Sequence, residues 1–235
     1  MVLLFASCQK DAGLTYKDKN GIYFIYNDTV YNKITAFDKV TYSFGMLDDS
    51  KHKDTAKIVL RAMGKAANKD RFYRVSINTD STTAVEGIHY EIIQPLQKFK
   101  ANKFIDTLKI VVLRDNLSSS HVKQESKRIA LKIEESDDFN VGIAKGAQMK
   151  LVINNYLNEP KWWKNYLGSG LYFYHPEKWK VLMKFHDNFK NPAGESPMAY
   201  DLITKYFSSL RAYLIENTTR DKETNERVLI DRLEK

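Results

Sequence analysis

The residues best equipped for chemistry in this chain are five histidines, His52, His89, His121, His175 and His186, and a single cysteine, Cys8. Histidine-based metal centres use tight spacings such as His-Glu-x-x-His, and none of the five shows one. His175 and His186 share a face only if one helix holds both. Pro176 starts a helix just beyond His175, so capping and packing are the expected roles and no metal ligand is expected. One cysteine excludes an internal disulfide framework and any multi-cysteine zinc or iron–sulfur site. The sequence carries no Gly-x-Ser-x-Gly elbow, P-loop or dinucleotide fingerprint. Glu134-Glu135 and Asp137-Asp138 have the residue type for glycosidase work, but adjacent acids at a strand end are ordinarily solvated turn residues. The reading is non-enzymatic, with no catalytic residue, metal or cofactor; an unrecognised hydrolase is the remote alternative.

The strongest binding candidate is the aromatic-dense run from Trp162 to Tyr174. Flat rings at Trp162, Trp163, Tyr166, Tyr172 and Tyr174 can stack on sugars or anchor a protein partner. The competing and favoured reading has them gluing two parts of the chain together, because a domain junction must bury something. Lys+Arg at 37 against Asp+Glu at 29 gives a net charge of +8, which favours anionic partners. The positive charges are scattered, however. Stretches such as Lys17 to Lys19, Lys98 to Lys103 and Lys178 to Lys184 interleave with apolar or acidic residues, and no nucleic-acid module signature appears, so no nucleic-acid partner is expected.

These residues need elements to position them. From Gly21 to about Leu157 the pattern has period two, the mark of half-buried strands. Strands are expected at Gly21 to Tyr26, Val40 to Phe44, Ala56 to Ala62, Phe72 to Ile77, His89 to Ile93, Phe104 to Leu113, Ile129 to Ile133 and Gln148 to Asn154. About seven or eight short antiparallel strands at such spacing make an immunoglobulin-like β-sandwich. In one strand Ile58, Leu60 and Ala62 face one way and Lys57, Val59 and Arg61 the other; in another, Ile129, Leu131 and Ile133 alternate with Arg128, Ala130 and Lys132.

Pro160 marks the boundary beyond which the periodicity becomes helical. Pro176 opens a helix to about Lys190 with Trp179, Leu182, Met183, His186 and Phe189 on one stripe. Ser196 is expected to cap the next helix, with Pro197 at its first position, Ile203, Phe207, Leu210 and Leu214 as its buried stripe, and Asn217-Thr218-Thr219 at its end. The tail from Arg220 to Lys235 is either a short docking helix or frayed. No stretch of about 18 apolar residues occurs to span a bilayer. The expected organisation is residues 1–8 as a truncated signal peptide, 9–20 as a flexible tether, 21–158 as the sandwich, and 159–235 as a smaller, mainly α-helical part.

Several motifs resemble known families. Val2-Leu3-Leu4-Phe5-Ala6-Ser7-Cys8 narrows from an apolar run to two small residues before the cysteine and resembles a bacterial lipobox, in which the thiol takes a diacylglycerol. Cys8 is then the lipid attachment site. The polar, Gly-interrupted run from Gln9 to Asn20 suits a tether, and a buried strand carrying a free thiol is the alternative. The apolar run is shorter than the roughly 7 to 15 residues of a signal peptide and lacks a basic start. The run Ala84-Val85-Glu86-Gly87-Ile88-His89-Tyr90, the strand to Leu113, and Glu125-Ser126-Lys127-Arg128-Ile129-Ala130-Leu131-Lys132-Ile133 resemble a Calx-beta-type sandwich with its Gly-x-x-Tyr corner. Asp115 is followed by Asn116, Leu117 and serines, so calcium binding is not carried over.

Together with Pro160-Lys161-Trp162-Trp163 and Leu167-Gly168, the whole is similar to a family of Bacteroidota surface lipoproteins associated with Sus-type nutrient-uptake systems. That resemblance implies an outer-membrane, surface-exposed accessory binding or assembly protein. Its partners would be a TonB-dependent transporter and a SusD-like lipoprotein, and its ligand a glycan or peptide. A freestanding glycan-binding or adhesive module is the alternative.

Overall fold

The computed structural model describes residues 19–30 and 33–235, so the expectations for Cys8, the signal segment and most of the tether lie outside the described residues. Strands follow in the order β1 (Asn20–Phe24), β2 (Asn27–Val30), β3 (Lys33–Ala36), β4 (Lys39–Ser43), β5 (Lys53–Ala62), β6 (Arg71–Ile77), β7 (Leu96–Phe99), β8 (Ile105–Leu113), β9 (Lys127–Glu134), β10 (Phe139–Val141) and β11 (Gln148–Asn154). They form a two-layer sandwich. One sheet has the order β10-β1-β5-β8 and the other β4-β11-β9-β6-β7, while β2 and β3 make a separate hairpin. Most pairings are antiparallel, but β1 runs parallel to β10 and β4 parallel to β11.

The alternation fixes which face is core. Ala56, Ile58, Leu60 and Ala62 are buried and Lys57, Val59 and Arg61 are exposed, the side-chain period of two expected of a strand. Opposite them, Ile129, Leu131, Ile133, Leu151 and Ile153 complete the first core. Ala130, on the outer side, is buried too, because the turn from Asn78 to Thr82 lies over it: Asn78 donates to its carbonyl and its own amide donates to Thr82 Oγ1.

The expected strand from His89 to Ile93 is corrected. There the chain turns and changes sheets: Tyr90 bridges Val112 of β8, whereas Leu96–Phe99 pairs with β6. The Gly87-x-x-Tyr90 corner does form, with Gly87 at φ +76, its amide donating to the Tyr90 carbonyl, and the Tyr90 ring buried. Positive φ is nearly free for glycine and costly for other residues.

Beyond Pro160 a nine-residue 3-10 helix, Lys161–Ser169, ends at Gly170 with φ +108. Then come α1 (Pro176–Phe185) and α2 (Tyr200–Glu216). The helix expected to reach Lys190 stops at Phe185. His186 is extended, and its ring accepts from the Asn188 amide to start a short 3-10 turn, Asp187–Lys190. α2 begins after Ala199 and not at Ser196, because the Ser196 hydroxyl is occupied by Tyr166 Oη and the Met198 carbonyl. Its stripe of Ile203, Phe207, Leu210 and Leu214 is buried as expected. The tail is neither helix nor frayed: β12 (Arg227–Val228) pairs with β13 (Leu233–Glu234), and Val228 of β12 is buried with Leu229 and Ile230 after it. Among the described residues no helix is long and apolar enough to cross a membrane.

Candidate functional site

The aromatic run lands mostly in a second core, which leaves little of it as a candidate binding surface. Trp162 and Trp163 are fully buried and Tyr166 nearly so. Their ring centroids pack at 5.5 Å for Trp162–Trp163, 5.7 Å for Trp162–Phe189 and 5.1 Å for Trp163–Tyr174. The Trp162 and Trp179 indoles donate to the Asn191 and Phe189 carbonyls. Tyr174 donates to the Leu157 carbonyl at the end of the sandwich, 2.6 Å away. A 3-10 helix stacks residues three apart, so Trp163 and Tyr166 face inward together. The rings build the helical unit itself and do not chiefly glue it to the sandwich. Of the five candidate binding rings only Tyr172 is exposed, at 43%, with φ +56 and Arg211 5.7 Å from its ring centroid.

The chemistry gathers where the sandwich meets this helical unit. Arg114, just past β8, is buried and knits three loops: it donates to Asn155 Oδ1 (2.9 Å), to the Asp48 carbonyl (2.6 Å) and to Asp49 Oδ1 (2.7 Å). The same loop then reaches the C-terminal unit. Ser120 Oγ donates to Glu223 Oε2 and the His121 amide to Glu223 Oε1, each at 2.6 Å.

Beside Glu223 lies Asp221, whose side chain is 1% exposed. Its Oδ1 accepts from the amides of Glu223 (2.6 Å) and Thr224 (2.9 Å), a turn that an aspartate stabilises locally. Its Oδ2 stands 2.7 Å from His175 Nε2 and 2.6 Å from His121 Nε2. His175 caps α1, its Nδ1 accepting from the Glu177 amide at 3.2 Å. That bond puts the imidazole hydrogen on Nε2, where it is donated to Asp221. Burial opposes the Asp221 charge, but the Thr224 and Glu223 amides and His175 outweigh it and hold the carboxyl at about 2. Burial lowers the His175 pKa, with Asp221 partly offsetting it. His121, His175 and Asp221 thus bring three metal-ligand groups within 4.8 Å of one another.

In front of this cluster opens a cleft of about 460 Å³ whose walls include Asp48, Asp49 and Arg114 from the sandwich loops, and Lys180, His121 and Glu223. Sequence reasoning found His175 as a cap but missed His121, Asp221 and Glu223 as its neighbours. The one local signal was the Asp221-x-x-Thr224 turn.

Fold and site together define a two-layer β-sandwich carrying a small helical unit, joined through a buried histidine–carboxylate cluster. The chain belongs to the family described as "Domain of unknown function (DUF4843)", whose model matches residues 16–186. No curated protein matches the chain. Among solved structures it is similar to the apo-form CBD1 domain of Calx, at 11% identity and a TM-score of 0.39, over 59% of this chain and 98% of that one. A Bacteroides ovatus protein described provisionally as carbohydrate-binding matches at 10% identity and a TM-score of 0.39, over 60% of this chain and 38% of that one. Another Bacteroides ovatus protein, of unknown function, matches at 13% identity and a TM-score of 0.36, over 59% and 45%. The chain spans less than half the length of these two proteins.

Proposed function

We propose that this chain is a non-enzymatic lipoprotein, anchored through Cys8 in an outer membrane and displayed at the cell surface, that serves as an accessory binding or assembly component of a Sus-type nutrient-uptake complex. Its partners are a TonB-dependent transporter and a SusD-like lipoprotein, and its ligand is a glycan or peptide. The observation that carries the binding role is the junction cleft. It is concave, lined by both units and set with fixed charges, as ligand sites at domain interfaces are. The anchor rests on the sequence around Cys8. The non-enzymatic reading is supported by how the histidine–carboxylate cluster is committed. Asp221 and His175 use both of their polar atoms internally, and the nearby Ser120 hydroxyl donates to Glu223 and not to a histidine, so the cluster holds no nucleophile–base pair.

The test is copurification of the tagged protein from native envelopes in mild detergent. Recovery of a transporter and a lid lipoprotein is expected; recovery of neither counts against the reading. A second reading, a freestanding glycan-binding module, draws on Tyr172. An exposed ring held at positive φ carries a strain that persists mainly where it serves a purpose. Polysaccharide affinity lost in Tyr172→Ala, without any envelope partner, would favour that reading.

A further inference from the structure

His121 Nε2 is a buried nitrogen with no hydrogen-bond partner. It nevertheless sits 2.6 Å from Asp221 Oδ2 and 3.7 Å from Glu223 Oε1. A separation of 2.6 Å is too close for two unbonded polar atoms, and the direction is wrong for a hydrogen on Nε2 to reach the oxygen. Buried polar atoms are almost always satisfied, and an orphan calls for a missing partner such as an ion. Both carboxylate oxygens lie within reach of that one nitrogen.

We propose that His121 Nε2, Asp221 Oδ2 and Glu223 Oε1 form a binding site for a divalent cation of the zinc class, which ties the sandwich to the helical unit. His121 comes from the loop after β8, and the two carboxylates come from the loop between α2 and β12, so one ion bridges the two cores. An imidazole nitrogen with two carboxylates suits zinc, which takes nitrogen and oxygen ligands at about 2.0–2.2 Å. At tetrahedral angles such ligands stand roughly 3.4 Å apart. The His121–Glu223 spacing of 3.7 Å is close to this, and the His121–Asp221 pair, at 2.6 Å, needs to open by about 0.8 Å.

His175 is not a ligand. Its Nδ1 accepts from the Glu177 amide, so Nε2 carries a hydrogen and has no lone pair to offer. It instead orients Asp221 by donating to the same oxygen, the supporting role that groups behind a metal's ligands commonly play. His121 and Glu223 line the cleft, so an ion can reach the site from solvent. The inference does not depend on the identity of any envelope partner.

The test is calorimetric titration of zinc chloride into the folded, metal-stripped chain. One ion per chain and a raised unfolding midpoint are expected. His121→Ala should weaken zinc binding roughly 100-fold or more while leaving the midpoint in chelator close to that of the parent protein, and His175→Asn, which keeps a cap acceptor, should weaken it about 10- to 100-fold. His52→Ala removes the exposed His52–Asp115 pair and should change nothing. If His121→Ala does not fold, Glu223→Gln gives the same reading, and cobalt substitution reports nitrogen and oxygen ligation by its visible spectrum. No saturable site, or zinc affinity unchanged in both His121→Ala and Glu223→Gln, overturns the proposal. A loss in His175→Asn as complete as in His121→Ala overturns this ligand set.

Discussion

Lys178 gives the sharpest test of how the second core is held. It lies in α1 with its side chain fully buried. Nζ donates to the carbonyls of Leu171 (2.6 Å), Phe173 (2.6 Å) and Ile230 (2.9 Å) and lies 4.1 Å from the Phe173 ring centroid. An ammonium has three hydrogens, and this cage takes all of them. Burial lowers its pKa from 10.5 to about 7, with Asp231 pulling the other way. A drop of that size corresponds to roughly 5 kcal/mol between the two protonation states. Lys178→Met keeps most of the volume and removes the burial penalty, but it leaves three carbonyls without a donor. Removing one partner from a buried charged cluster costs about 3–5 kcal/mol, and relief of the penalty places this case at the low end, about 3 kcal/mol at pH 7.

The assay is guanidinium unfolding followed by tryptophan fluorescence. Trp162, Trp163 and Trp179 all sit in this core, so the signal reports on it directly. The pH dependence has a definite sign. Below about 7 the lysine is protonated both folded and unfolded and contributes no slope. Between about 7 and 10.5 the unfolded chain holds a proton that the folded chain gives up, so stability rises with pH. The gap between parent and Lys178→Met should widen toward pH 10. A variant as stable as the parent at pH 7 would refute the cage argument, and a gap constant from pH 7 to 10 would refute the burial penalty.

Three further outcomes are expected. Gly45→Ala drives a Cβ into the Tyr156 carbonyl, where backbone must move, and should cost at least about 2 kcal/mol in sandwich unfolding monitored by far-ultraviolet circular dichroism. His89 is buried with Nδ1 accepting from the Val85 amide, and burial, helped by Lys127, lowers its pKa below 6.5. The unfolded chain therefore takes up a proton there first as pH falls, so stability should decline from pH 7 to 5 and decline less in His89→Asn, read from denaturant midpoints. Cys8→Ala should incorporate no labelled palmitate in cells that acylate the parent chain.

The sandwich was legible wherever one face is core and the other solvent. Ala56 to Ala62 and Gln148 to Asn154 show this, since alternation alone decides their geometry. The Gly87–Tyr90 corner was legible because one residue supplies the positive φ and another the plug. No strand forms from His89 to Ile93 because the segment running on to Phe99 serves two sheets in turn, and each half has too few residues to show a period. Exposure of Trp162 and Trp163 is not legible in composition, because the rings that cover them, Tyr174, Trp179 and Phe189, come from later elements. The cluster at the junction was invisible for a different reason. His121 and Glu223 sit on loops about a hundred residues apart, with no pattern linking them.

The two parallel pairings have a kinetic consequence. β1 and β4 open the sandwich, yet β1 waits for Phe139–Val141 and β4 for Gln148–Asn154 before each gains its parallel neighbour. Closure of such distant segments costs loop entropy before any contact repays it, which makes folding slow. β4, an edge strand paired with β11, is thus locked late, whereas β1 can pair earlier with β5. Arg114, beyond β8, likewise gathers its loops only once Asn155 has arrived.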